Sequence, residues 1–216
     1  MIRFLLFVAI LKASIADEVR VTSRQGMTCT KNRCTAQGDV KIQNSSITIT
    51  SDKAELTLDA NDSIKDTKIK SIRCYGNVYV VSRKGEKVFG HNMTYIPKAQ
   101  KISFTNGVRL IFENDKLFQA QQATAFISNE SNSLSRFKAR GNIILSTENE
   151  IVQSDTCTYD QRSRKVELQD NIISDNQDGR LIGRVATYDL KSEKLHVIGP
   201  QDRVTGFVWV ENKVPN

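Results

Sequence analysis

The chain has 216 residues, 31 of them Lys or Arg and 24 Asp or Glu, for a formal net charge of +7. Only three prolines occur, at 97, 200 and 215, so no Pro/Gly linker divides it, and the length suits a single all-β domain without a second one. The balance is modestly basic; solvated strand faces and turns account for it, with anionic lipid headgroups as the functional alternative, and no nucleic acid is expected as a partner.

The opening stretch, MIRFLLFVAILKASIA, combines a basic start at Arg3, an apolar run from Phe4 to Leu11 and small residues at Ser14 and Ala16. This pattern predicts a signal peptide over 1–16. The apolar run is too short for the roughly 20 residues of a bilayer span, so cleavage near Ala16 is preferred to a retained anchor. Cleavage removes Arg3 and Lys12 and so lowers the net charge from +7 by two, to +5. No later stretch is apolar enough to span a membrane as a helix, and none has helical periodicity.

The rest, 17–210, follows one repeating frame, with 211–216 as a polar tail. Units begin at Gly38, Gly76, Asn106, Gly141, Asp170 and Gly199, and the last two intervals are equal. Each opens on a small or turn-forming residue, climbs through alternating apolar residues, turns, returns (through Thr-Tyr in three units) and closes on Lys-apolar-x-apolar or a variant of it. Each unit is therefore expected to be a pair of strands, opening at its Gly-Asn or equivalent. Residues Val19 to Cys34 read as an incomplete first unit, with Met27 in the column of Tyr95, Tyr159 and Tyr188 and a turn at Lys31-Asn32. The first full unit carries VKI, ITIT and AELTL and a polar insert from Asp59 to Asp66. The second has VYVVS, HNMTYI and KISF, with His91 at a strand start. The third has VRLIF and one long run, LFQAQQATAFI, and a polar turn from Asn129 to Ser133. The fourth and fifth are the two cleanest copies, and TGFVWV, 205–210, is a last strand.

Four and two residues before each unit start stand Cys34 and Ala36, Ile72 and Cys74, Ile102 and Phe104, Phe137 and Ala139, Val166 and Leu168, Leu195 and Val197. Every slot is apolar or small. Positions two apart share a face of a strand, so these columns mark the buried face. Short polar connections such as Lys-Gly-Glu, Pro-Lys-Ala-Gln and Asn-Gln-Asp-Gly favour antiparallel neighbours, as in a sandwich or a curved jelly-roll, over a parallel solenoid.

Cys29 and Cys34 flank a four-residue connection of hairpin size and are a candidate disulfide, one that closes a short loop and adds little stability. Cys34 and Cys74 equally suit the role of small core residues. No His lies near a Cys in the frame, so no metal site or cofactor is expected. His196, between inward Leu195 and Val197, points to solvent. No nucleophile elbow, phosphate-binding Gly loop or clustered carboxylates occur, and the chain is not expected to be an enzyme.

The recurrent Gly-Asn-apolar start, the Ala-Thr-Tyr-Asp or Cys-Thr-Tyr-Asp return and the Lys-apolar-x-apolar close, behind a signal peptide, resemble the LptA/OstA family of periplasmic lipopolysaccharide-transport proteins over about 19–210. The resemblance implies an open β-jelly-roll in the periplasm, a half-pipe built from these repeated strand pairs, whose period is about 29–38 along the chain. It also implies lipopolysaccharide, bound by its lipid A part, as ligand, and head-to-tail stacking on itself and on LptC-like and LptD-like jelly-rolls. The four cysteines, the 59–66 insert and the long third unit depart from the family pattern. On the carrier hypothesis the inner groove is lined by Val78, Val80, Ile102, Phe104, Leu110, Phe112, Ile143, Leu145, Val166, Leu168, Leu195 and Val197; each also fits ordinary sandwich core. A strand edge that is not blunted invites pairing with another chain, and Phe207, Val208, Trp209 and Val210 form such an edge. The alternatives are an LptC-like membrane-anchored subunit of the same pathway and a structural scaffold that binds no lipid.

Overall fold

The computed structural model describes residues 19–43, 47–59, 68–82, 87–111, 117–127, 134–146, 150–163, 165–189, 194–199 and 204–208. The 59–66 insert beyond Asp59, the Lys-Gly-Glu turn and the 129–133 turn lie outside them, as do both ends of the chain. Among the described residues the regular structure is β-strand, apart from a 3-10 turn at Pro97–Ala99. The strands are β1 (Arg20–Thr22), β2 (Met27–Cys29), β3 (Arg33–Gln43), β4 (Ile47–Asp59), β5 (Lys68–Ser82), β6 (Lys87–Ile96), β7 (Lys101–Ile111), β8 (Leu117–Ala120), β9 (Gln122–Ile127), β10 (Leu134–Ser146), β11 (Glu150–Asp160), β12 (Lys165–Asn176), β13 (Gly179–Asp189), β14 (Lys194–Ile198) and β15 (Thr205–Val208). They form one antiparallel sheet in which chain neighbours are sheet neighbours, so nearly every connection is a hairpin.

The repeat frame has a different structural meaning from the expected one. The unit starts at Gly38, Gly76, Asn106, Gly141 and Asp170 lie in the middle of β3, β5, β7, β10 and β12, not at strand openings. Each is the first of two consecutive residues with positive φ: Gly38-Asp39, Gly76-Asn77, Asn106-Gly107, Gly141-Asn142 and Asp170-Asn171. Two left-handed residues cannot lie in a flat strand, and the ladder register shifts beside them, between Gln37 and Val40, Tyr75 and Val78, Arg140 and Ile143, and Gln169 and Ile172. Glycine, Asn and Asp stand there because other side chains pay about 1–2 kcal/mol per residue in that conformation. His91 likewise lies inside β6, beside the shift between Gly90 and Asn92, rather than at a strand start. The run LFQAQQATAFI bends too, at Gln121 between β8 and β9, whose amide donates to the Gly141 carbonyl at 2.8 Å.

These aligned bends fold the sheet into the two layers of an open jelly-roll. The first contains β2, β9, β14 and segments such as 33–37, 101–105 and 165–169; the second contains β1, β8, β15 and segments such as 40–43, 108–111 and 172–176. Side chains hold the fold line from outside: Asn77 donates to the Asp52 carboxylate at 3.0 Å, and Asn171 to Asp155 at 2.7 Å. Just inside it, the Ser51 and Ser154 hydroxyls donate to the carbonyls of Lys53 and Thr156. The motif Ser-Asp-x-small (51–54 and 154–157) thus does one job twice.

Register carries the apolar columns across the sheet as rows. In the first layer one row runs Leu56, Ile72, Tyr95, Ile102, Ala125, Phe137, Tyr159, Val166, Tyr188. A second runs Met27, Ala36, Ala54, Cys74, Met93, Phe104, Ala123, Ala139, Cys157, Leu168, Ala186, Val197. Met27 therefore belongs to this second row, opposite Ala36, and not to the tyrosine row as the spacing suggested. In the second layer Ile42, Ile49, Val80, Val88, Leu110, Phe118, Leu145 and Val152 make the equivalent row. The layers meet: the ring of Phe118 stands edge-on to that of Phe137, centroids 5.4 Å apart.

Cys29 and Cys34 face each other across β2 and β3 and are joined in a disulfide. Cys74 and Cys157 are free thiols in the second inner row. Burial pushes them up to about 11 and about 12, so both stay protonated and unreactive at neutral pH.

Two expectations follow. At Gly76 φ is +68° and an added Cβ would collide with the Asp52 carboxylate. Gly76→Ala should cost about 1–2 kcal/mol, read as a lower urea midpoint at unchanged slope; an unchanged midpoint would show that this bend imposes no left-handed backbone. A thiol reagent at neutral pH should label neither Cys74 nor Cys157 in the folded protein and both in denaturant, and rapid labelling of the native state would contradict their burial.

Candidate functional site: an apolar seam between two layers

The alternation that gives each strand one apolar face, combined with the bend, turns that face toward its own other half. The result is a seam that crosses every strand of the sheet. Of the residues expected to line it, Val78, Val80, Ile102, Phe104, Leu110, Ile143, Val166 and Leu168 point inward and are each at most 5% exposed. Leu145 and Val197 are half-buried against the same cluster. Phe112 and the side chain of Leu195 lie outside the described residues.

Pattern reading from unit starts overlooked a third set, the apolar residue that follows each left-handed pair: Val40, Val108 and Ile172 are as buried as Val78 and Ile143. The signal was present, since all five follow the pair directly, but it looked like a strand start instead of the inside of a corner. Phe118, which bridges the layers, was hidden in a segment read as one continuous run.

Polar groups are sparse in the seam. The buried polar side chains among the described residues are Ser51, Ser154 and Ser174. The first two are tied to backbone carbonyls at the bend, and Ser174 donates to the Glu150 carboxylate at 2.7 Å. No group of three or more His, Cys, Asp or Glu residues among the described ones is placed to hold a metal ion. His91 and His196 are exposed, away from the seam.

Access differs along its length. In the middle strands the inward side chains are closed to solvent. At the two ends of the sheet they emerge: Met27 on edge strand β2 is 52% exposed, and Leu181 on β13, beside edge strand β15, is 38% exposed. Four short strands form these ends, β1 and β2 at one, β14 and β15 at the other. Phe207 on β15 is half exposed; the side chain of Val208, and Trp209 and Val210 altogether, lie outside the described residues.

A family model described as LptA/(LptD N-terminal domain) LPS transport protein matches the chain twice, over residues 16–120 and 91–194. No curated protein matches it. Among solved structures, LptH from Pseudomonas aeruginosa, described as the LptA homologous periplasmic component of the conserved lipopolysaccharide transport device, is similar at 11% identity, covering 91% of this chain and 98% of that one with a TM-score of 0.26. The two family matches together span most of the chain, which belongs to the LptA/LptD N-terminal domain family of lipopolysaccharide-transport proteins.

Proposed function

We propose that this protein is a periplasmic carrier or bridge segment that shelters the acyl chains of lipopolysaccharide between its two layers on the way from inner to outer membrane. The observation that supports this most is the seam itself: lined mainly by apolar side chains, exposed at both ends, and with its buried polar side chains among the described residues already hydrogen-bonded within the protein. Moving a methylene into water costs about 0.8 kcal/mol, so a chain of ~12 methylenes left in water costs on the order of 10 kcal/mol. A surface that accepts chains at one end and releases them at the other meets that requirement without a deep pocket. Because the middle of the seam is closed, passage requires the layers to part, and the contact between Phe118 and Phe137 is one that has to open.

Export through cleavage near Ala16 places residues 17–210 as one domain in the periplasm. The short end strands are the surfaces for strand addition, to another copy or to LptC-like and LptD-like jelly-rolls. The closed middle is also what a scaffold that binds no lipid would have, and the same experiments separate the two.

A photo-reactive residue at Leu145 or Val197 should cross-link to lipopolysaccharide in cells, whereas one at outward Lys101 should not; cross-links from neither inner position favour the scaffold. Leu181→Asp puts a charge at an already solvated mouth, where folding is preserved, and should weaken lipid binding at least about tenfold, or about 1.4 kcal/mol. For assembly, Val208→Pro removes a donor from β15, which pairs with β13 at Gly179. It should lower the mass measured by light scattering at high concentration, and a wild type that stays monomeric and binds neither partner domain would rule out end-to-end pairing.

A further inference from the structure

The two outer faces of the folded sheet differ. In the first layer the outward rows are largely hydroxyl, amide and charge, as in Thr94, Ser103, Thr124, Lys138, Thr158 and Glu167. That is the ordinary pattern of an antiparallel sheet with one wet side. In the second layer the outward residues of β1, β3 and β4 are polar too, but from β5 onward the strands carry apolar residues on the outer side as well. Phe89 follows inward Val88, Ile144 lies between inward Ile143 and Leu145, and Ile173 follows inward Ile172. Phe89 is 38% exposed, Ile151 44%, Ile182 37% and Phe207 50%. Register places Ile173 directly opposite Ile182, and Phe207 opposite Arg180 one step along, so this end of the face is contiguous. Past Gln153 the same outward row reaches Ile144, and past Gln119 and Arg109 it reaches Phe89, whose ring packs on Tyr79 at 4.7 Å between centroids.

Its charges are mostly basic: Lys41, Lys87 and Arg109 point outward here, whereas Arg180 is held to Asp175 by two hydrogen bonds, so that pair adds no net charge. Where the face meets the bend, Phe89, Arg109, Gln119 and Ile144 line a shallow groove of about 490 Å3 with Gly107 and Asn142. The groove sets one cation between apolar walls. An anionic headgroup with the first methylenes of its chains fits that combination.

We propose that the outer face of the second layer is a docking surface for an anionic lipid bilayer, so that the protein lies against a membrane through this face while the seam handles its cargo. Exposed aromatic and aliphatic side chains supply interfacial insertion, and the cations supply attraction to anionic headgroups. A second copy docked by the same face is disfavoured, because a two-fold contact would press one predominantly basic face against another. The surface is separate from the seam, and it stands or falls independently of the carrier function.

The test is flotation of the purified mature protein with vesicles of phosphatidylcholine, with and without phosphatidylglycerol at about three in ten lipids. The wild type should float with the anionic vesicles, and raised salt should release it. The combined variant Phe89→Ser, Ile151→Ser, Ile182→Ser should bind roughly tenfold more weakly, with its melting temperature as a check on folding. Lys87→Glu with Arg109→Glu, both on exposed residues, should lose binding and its salt dependence without touching any apolar contact. Leu181→Asp, which disables the seam, should float like the wild type. A wild type that stays with the soluble fraction, or that binds neutral and anionic vesicles alike, overturns the proposal. So does an outer-face variant whose only change is a lower mass by light scattering, since a second copy would then be the occupant.

Discussion

Everything in this molecule depends on a backbone conformation that most residues avoid. Five strands, every second one across the sheet, each carry two successive left-handed residues, and because these pairs line up across the strands between them, the sheet creases along one line instead of curling gradually. Without the crease, a sheet of this width would have two solvated faces and nowhere to put its apolar rows. With it, each long strand supplies both walls of the seam, and chain neighbours remain sheet neighbours joined mostly by hairpins. The residues chosen for the pair, Gly, Asn and Asp, are those whose cost in this region is smallest, and Asn77 and Asn171 also tie the crease from outside through Asp52 and Asp155.

Much of the fold was legible because the inner columns obey a strict rule of two. Slots such as Ile72 and Cys74, or Val166 and Leu168, keep the same distance from a recognisable punctuation mark, and side-chain alternation converts that distance into a shared face. What failed was the meaning of the punctuation. Gly-Asn signals positive φ, and a hairpin turn and a crease inside a strand require it equally; local sequence cannot tell them apart, whereas long-range pairing can. The same confusion misplaced His91 and concealed the break at Gln121. Met27 was assigned one step out of register for a related reason: the incomplete first repeat has no left-handed pair of its own from which to count.

The seam was half legible. Its lining followed from the columns, and eight of the residues so identified are buried on the inward side. That it is shut in the middle and open at its ends did not follow. Closure depends on whether large side chains from opposite layers, such as Phe118 and Phe137, arrive at the same place, and their separation in the sequence holds no information about that. The second layer's apolar outer rows were visible throughout as unbroken runs such as VYVV and NIIL, but with only one buried face in mind they passed as ordinary strands.

The alternation of strand direction has a consequence for how such a chain can change length. A single strand removed from the middle would leave its neighbours pointing the wrong way, with the crease of one facing the rim of the next. Removal or gain of a whole unit, such as the one beginning at Gly141 or at Asp170, keeps direction, crease and inner rows in step. Relatives of this protein should therefore grow by duplication in increments of one unit, each adding about two strand spacings, or ~10 Å, to the length of the seam.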